Sequence, residues 1–150
     1  MVPHLPAYLL LLPALAAAGD TVPFGQPFSL AVAETTVVGS QLEVAFVGIL
    51  ADSRCPADVL CVWEGDAAAG IMIRPFGRDP EIIVLHTHEA WGRERDLGSW
   101  RIVQLGVAPY PASATIPIDP ETYVVTLQVD ATGPVAGVPT AWGAAKAGYR

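Results

Sequence analysis

Charge is scarce in this chain. Only 15% of its 150 residues are charged, and eight Lys and Arg against fifteen Asp and Glu leave a formal net charge of −7. That balance argues against nucleic acid as a partner, which needs a basic footprint, and against an anionic membrane surface. Cysteine occurs twice and histidine three times. The spacing Cys-x5-Cys, without a second pair, is not a zinc signature, and there is no Cys-x-x-Cys for thiol redox work. Also missing are Gly-x-Ser-x-Gly, a Walker loop, Gly-x-Gly-x-x-Gly and His-Glu-x-x-His. With so few polar candidates the chain reads as a non-enzyme without a cofactor. No stretch sustains a helical period and no segment repeats, which leaves strands.

The apolar run over residues 7–15, followed by Ala16, Ala17 and Ala18, reads as a secretory signal at 1–18. It is too short to span a bilayer, and no other segment is long and apolar enough to do so. Export to a periplasmic or extracellular space is expected, and a cysteine pair fits that compartment. Residues 19–27, with Pro23, Gly25 and Pro27, read as a linker. Alternating apolar runs then follow at 28–32, 35–38, 41–50, 67–74, 81–87, 100–108 and 123–129. In the run 41–50, Leu42, Val44, Phe46 and Leu50 share one face, while Val47 and Ile49 make the second face apolar too. In 100–108, Val103, Leu105 and Val107 are expected to point inward. Residues 109–120 carry four prolines and suit an extended crossover between sheets. Residues 89–98 read as a charged loop and 131–150, rich in Ala, Gly and Pro, as a disordered tail. The expected fold is one all-β domain over 28–130, an antiparallel β-sandwich of six or seven strands, with a small barrel as the alternative.

The chain is organised around one stretch. Asp52-Ser53-Arg54-Cys55-Pro56 leads to Val59, Cys61, Trp63, Gly65 and Ala67. A bridge from Cys55 to Cys61 would close a short ring worth roughly 2–3 kcal/mol by loop-closure entropy. Such a ring loses little further freedom on binding, which favours a recognition loop. The plainer reading is a staple on a long connection, with Trp63 plugging the core beneath it. Arg54, flanked by Asp52, Asp58, Glu64 and Asp66, is expected to pair with at least one of them. Asp52, Glu64 and Asp66 could alternatively supply oxygens to calcium, although the spacing is not that of an EF-hand. The pattern D-S-R-C-P-x-x-V-x-C-x-W-x-G-x-A resembles a motif of small exported bacterial β-proteins of uncharacterised activity. A weaker likeness extends to Leu85-His86-Thr87 and to residues 123–127. The resemblance implies export and a β fold, and it carries over no catalytic residues.

Three functional readings follow. The first is an exported binding or structural module of the cell envelope or extracellular space. It would contact a protein or glycan through Arg54, Trp63, Glu64, Asp66 and Trp91, since tryptophan suits binding hot spots. The second is a secreted protease inhibitor that presents the Cys55–Cys61 loop, with Arg54 or Leu60 filling a specificity pocket. The third is a small metal-binding protein. His86 and His88 stand two apart, so on a strand both imidazoles would share a face and could hold a divalent ion. The competing reading of the pair is two polar residues where a strand runs out.

Overall fold

A computed structural model describes residues 21–133. The expected signal at 1–18 and most of the expected tail lie outside the described residues. Nine strands are present among those described. They are β1 (Thr21–Val22), β2 (Phe28–Ala31), β3 (Thr35–Val38), β4 (Leu42–Asp52), β5 (Ala67–Pro75), β6 (Glu81–His86), β7 (Glu94–Leu97), β8 (Trp100–Ala108) and β9 (Val124–Ala131). One sheet has the order β1-β3-β4-β5-β6 and the other β2-β9-β8-β7. Every pairing is antiparallel except β1 with β3. The fold is therefore the expected two-sheet sandwich rather than a closed barrel.

The core lies between the sheets. Leu42, Val44 and Phe46 of β4, Ile71 and Ile73 of β5, and Ile83 and Leu85 of β6 meet Leu30, Ile102, Val125, Leu127 and Val129 from the other layer. Alternation explains the second set directly. Tyr123, Val125, Leu127 and Val129 are all buried, as their period of two predicts.

Elsewhere the period breaks, and the structure differs from expectation. β4 loses register against β5 between Phe46 and Gly48 and again between Ile49 and Ala51. Bulges of this kind re-aim the side chains beyond them. Val47 and Leu50 consequently face solvent, and only Ile49 of that half packs on the core. β8 shifts between Gln104 and Gly106. Its inward residues are Ile102 and Gln104, while Leu105 is exposed and Val107 returns to the core edge.

Two expected loops contain strands. β1 and its flank are fastened to both sheets, because Gly39 N–H donates to Val22 O at 2.8 Å and Gly25 N–H to Val129 O at 2.8 Å. Gly39 is required there: a Cβ would fall 1.9 Å from the Phe24 ring. In residues 89–98 a 3-10 turn, Glu89–Trp91, leads into β7, whose Glu94, Arg95 and Asp96 are exposed along a sheet edge. Charges on an edge strand discourage pairing with other chains. The proline-rich residues 109–120 do not cross between sheets. They join β8 to β9, neighbours in one sheet, and pass under the cysteine loop. At the other end, β9 and its pairing run on to Ala131 and Thr132, inside the stretch expected as tail.

Candidate functional site

The long connection from β4 to β5 is held at both ends by a buried carboxylate. At its entry, Asp52 takes a two-pronged hydrogen bond from Arg54. Nε donates to Oδ1 at 2.9 Å and Nη2 to Oδ2 at 2.6 Å. The Arg54 backbone N–H and the Tyr123 hydroxyl complete the carboxylate at 3.1 and 2.9 Å. The guanidinium then donates across the sandwich to Val107 O at 2.7 Å and Pro109 O at 2.8 Å, with the Tyr110 ring 5.3 Å away. Arg54 is only 7% exposed and its guanidinium is committed to Asp52, Val107 and Pro109, so it does not project from the loop as a side chain filling a protease pocket would. Burial by itself pushes the Asp52 carboxyl up, but the donors from Arg54 and Tyr123 together hold it below its ordinary value. Burial and the same carboxylate push the Tyr123 phenol up.

At the exit, Asp66 is the centre. Its Oδ2 lies 2.6 Å from His86 Nδ1, while Oδ1 accepts from the Thr87 hydroxyl at 3.0 Å and the His88 N–H at 2.9 Å. An ionised carboxylate can only accept, so His86 carries its proton on Nδ1. Burial raises the Asp66 carboxyl, and the bonds from His86, His88 and Thr87 outweigh it to leave the carboxyl lowered. Ser53 ties entry to exit. Its N–H donates to Asp66 O at 2.7 Å, and its hydroxyl accepts from Asp66 N–H at 3.2 Å. Gly65 makes this closeness possible. It has φ +75°, and a Cβ there would stand 1.9 Å from Ser53 O.

The ring between these anchors is closed by the Cys55–Cys61 disulfide. It rests on the proline connection, with Ala57 N–H donating to Pro111 O at 3.0 Å and Ala114 N–H to Asp58 Oδ1 at 3.0 Å. The residues of the pattern Asp-Ser-Arg-Cys-Pro…Cys-x-Trp-x-Gly thus largely build this loop. Trp63 departs from its expected role as a core plug. It is 56% exposed, because the disulfide and the Cys55 N–H to Glu64 O bond of 2.8 Å turn it outward. Its ring meets the half-exposed Trp91 ring edge-on, 5.3 Å between centroids. His88 lies against the same Trp91 ring at 5.1 Å. Leu60, within the ring, and Val62, just after it, are fully exposed.

Behind the aromatic pair runs a groove of about 460 Å³, lined by Glu64, His88, Glu89, Arg93, Val107 and Tyr110 among others. Of the residues expected to bind, the structure brings Trp63, Glu64 and Trp91 to one surface and turns Arg54 and Asp66 inward as braces. Arg54 pairs with Asp52 alone among its four acidic neighbours. The three carboxylates considered for calcium are divided: Asp52 serves Arg54, Asp66 serves His86, and Glu64 stands exposed 3.7 Å from His88 Nε2. His86 and His88 do not join a third ligand, since no group of three or more His, Cys, Asp or Glu suited to a metal occurs among the described residues. No helix among them is long and apolar enough to cross a membrane.

Comparison with family models, curated proteins and solved structures finds no match to the chain.

Sequence reasoning missed Thr87, Tyr110 and Tyr123. Each acts on a residue far away in the chain, and no local pattern marks them. Gly65 could have been found, since a glycine straight after Trp63-Glu64 in a rigid loop signals a close backbone approach.

Proposed function

We propose that this protein is an exported, non-enzymatic binding module whose contact surface is the tip of the Cys55–Cys61 ring together with Trp63 and Trp91. The observation that carries the reading is the full exposure of Leu60 in a covalently closed ring and of Val62 directly after it, where Val62 adjoins Trp63 and the Trp63 ring touches that of Trp91. Large apolar side chains are not left in water on a braced loop for stability. Contiguous exposed apolar surface marks interaction sites. Bracing at both ends lowers the entropy lost on binding. An aliphatic tip beside aromatic anchors suits a protein partner better than a glycan, whose hydroxyls need polar groups in the contact. The motif's resemblance to small exported β-proteins supports the compartment.

Photo-crosslinking from position 62 in an envelope extract tests this. One discrete protein adduct is expected, reduced by roughly tenfold or more in Trp91→Ala. Equal yield from wild type and variant, or adducts of no defined mass, would overturn it.

A second reading, a secreted protease inhibitor, keeps one supporting observation: Leu60, beside Cys61 in the closed ring, is fully exposed. Arg54 has no part in it. Inhibition of a protease with an apolar specificity pocket, abolished by Leu60→Asp, would favour this reading over the first.

A further inference from the structure

Four strands lie at sheet edges, and three of them are blunted. β1 has two residues, β2 has four, and β7 is lined with Glu94, Arg95 and Asp96. The fourth, β6, is apolar from Ile82 to Leu85. Its inner residues Ile83 and Leu85 are buried in the core, whereas Ile82 and Val84 are exposed on the outer face. These two continue an apolar strip. Val84 pairs with Gly70, and the absent Gly70 side chain leaves a floor that Val47 and Leu50 approach to 3.5 and 3.6 Å of the position a Cβ would take. The strip runs across β4, β5 and β6 and stops at the free edge.

The backbone of that edge can be read by parity. His86 N–H points away from β5 and donates to Gly92 O at 3.1 Å. Backbone groups alternate in direction along a strand, so Val84 and Ile82 also point outward. No partner for their outward groups occurs among the described residues. Just two hydrogen-bonding positions are therefore open, one on each side of Ile83.

We propose that β6 is the interface of a two-fold dimer, in which it pairs antiparallel with β6 of a second copy about an axis at Ile83. An isologous contact requires a self-complementary surface, and this edge is one. The axis sets Ile82 opposite Val84 in both directions, so each copy satisfies the other's open positions, and apolar side chains meet on the outer face. It sets Glu81 opposite Leu85, so no like charges face each other. At His86 the outward position is already occupied by Gly92, which accepts the His86 N–H, so the partner chain leaves the edge at Pro80, which has no N–H to place. The ladder thus ends where the free positions end. The apolar strip becomes continuous across the two copies.

Sedimentation equilibrium of the full chain tests the assignment, alongside Val84→Lys, Ile82→Lys and, as a control, the loop variant Leu60→Ser/Val62→Ser. The expected result is a concentration-dependent dimer in wild type and in the loop variant, lost in both lysine variants while their far-ultraviolet circular dichroism is unchanged. Hydrogen exchange on wild type keeps the test independent of folding in the variants: Ile82 and Val84 amides gain protection as concentration rises. A wild type monomeric at every attainable concentration would overturn the proposal. So would a dimer indifferent to the lysine substitutions, or one lost only in the loop variant.

Discussion

The two ends of the cysteine loop are each closed around a buried carboxylate, yet they reach in different directions. Asp52 holds Arg54, and Arg54 spends its remaining donors on Val107 and Pro109 in the opposite layer, beside Tyr123. Asp66 holds His86, the last residue of the neighbouring strand β6, and Thr87 and the His88 backbone just beyond it. The entry anchor therefore ties the two sheets together. The exit anchor shapes the turn on which Trp91 sits. Damage at the entry should appear as lost global stability, and damage at the exit as an altered contact surface.

Breaking the entry anchor should have the largest effect. Arg54→Met strands a buried carboxylate and two carbonyls, and the expected loss is about 3–5 kcal/mol of unfolding free energy by denaturant titration. A loss as small as that of an exposed ion pair, roughly 0–1 kcal/mol, would mean that the two ends do not differ as described. Removing the covalent link comes next. Cys55→Ser should lower stability by about 2–3 kcal/mol, and wild type under reducing conditions should fall to the same level.

The exit anchor should cost less and show elsewhere. Asp66→Asn keeps the shape but turns an amide toward donors, for an expected loss of about 1–3 kcal/mol. Its signature is tryptophan emission, because the His88 turn carries Trp91 against Trp63. Arg54→Met, measured where it is still folded, should leave that emission close to wild type. If the two variants shift emission alike, the ends are one network rather than two.

The smallest and most gradual signal is in acid. Both carboxyls are held below the ordinary value of 3.8 in the folded protein. An unfolded chain therefore binds these protons more readily than the folded one. The stability they contribute is complete above that value and is lost as pH falls below it toward their lowered values. Asp52→Asn and Asp66→Asn should each flatten part of that acid slope. An unchanged slope in both variants would assign acid unfolding to other groups.

Strand content was legible where alternation is uninterrupted, as at Tyr123, Val125, Leu127 and Val129. It misled where a bulge changes parity. Leu50 looks like a core residue by counting twos, but an extra residue earlier in β4 turns it to solvent. In β8 the inward residues are Ile102 and Gln104, so Val103 and Leu105 lie on the opposite face, and the bulge before Gly106 brings only Val107 back to the core edge. β7 was hidden because Glu94, Arg95 and Asp96 resemble a loop in composition, and an edge strand needs no buried face. Of the candidate site, the disulfide was readable from two cysteines in a short window, and Trp91 from its charged surroundings. The inward turn of Arg54 was not, because the carbonyls of Val107 and Pro109 that receive it lie more than fifty residues along the chain.

Local patterns sufficed for an all-strand fold and for a short ring between Cys55 and Cys61, since side-chain period and loop length are properties of neighbours in sequence. Which of the loop's residues brace it and which face a partner was decided only when β8 and β9 came to lie behind it. A charge as scarce as Arg54 can be taken out of water only where a carboxylate and two carbonyls converge, and that convergence belongs to the packed sheets.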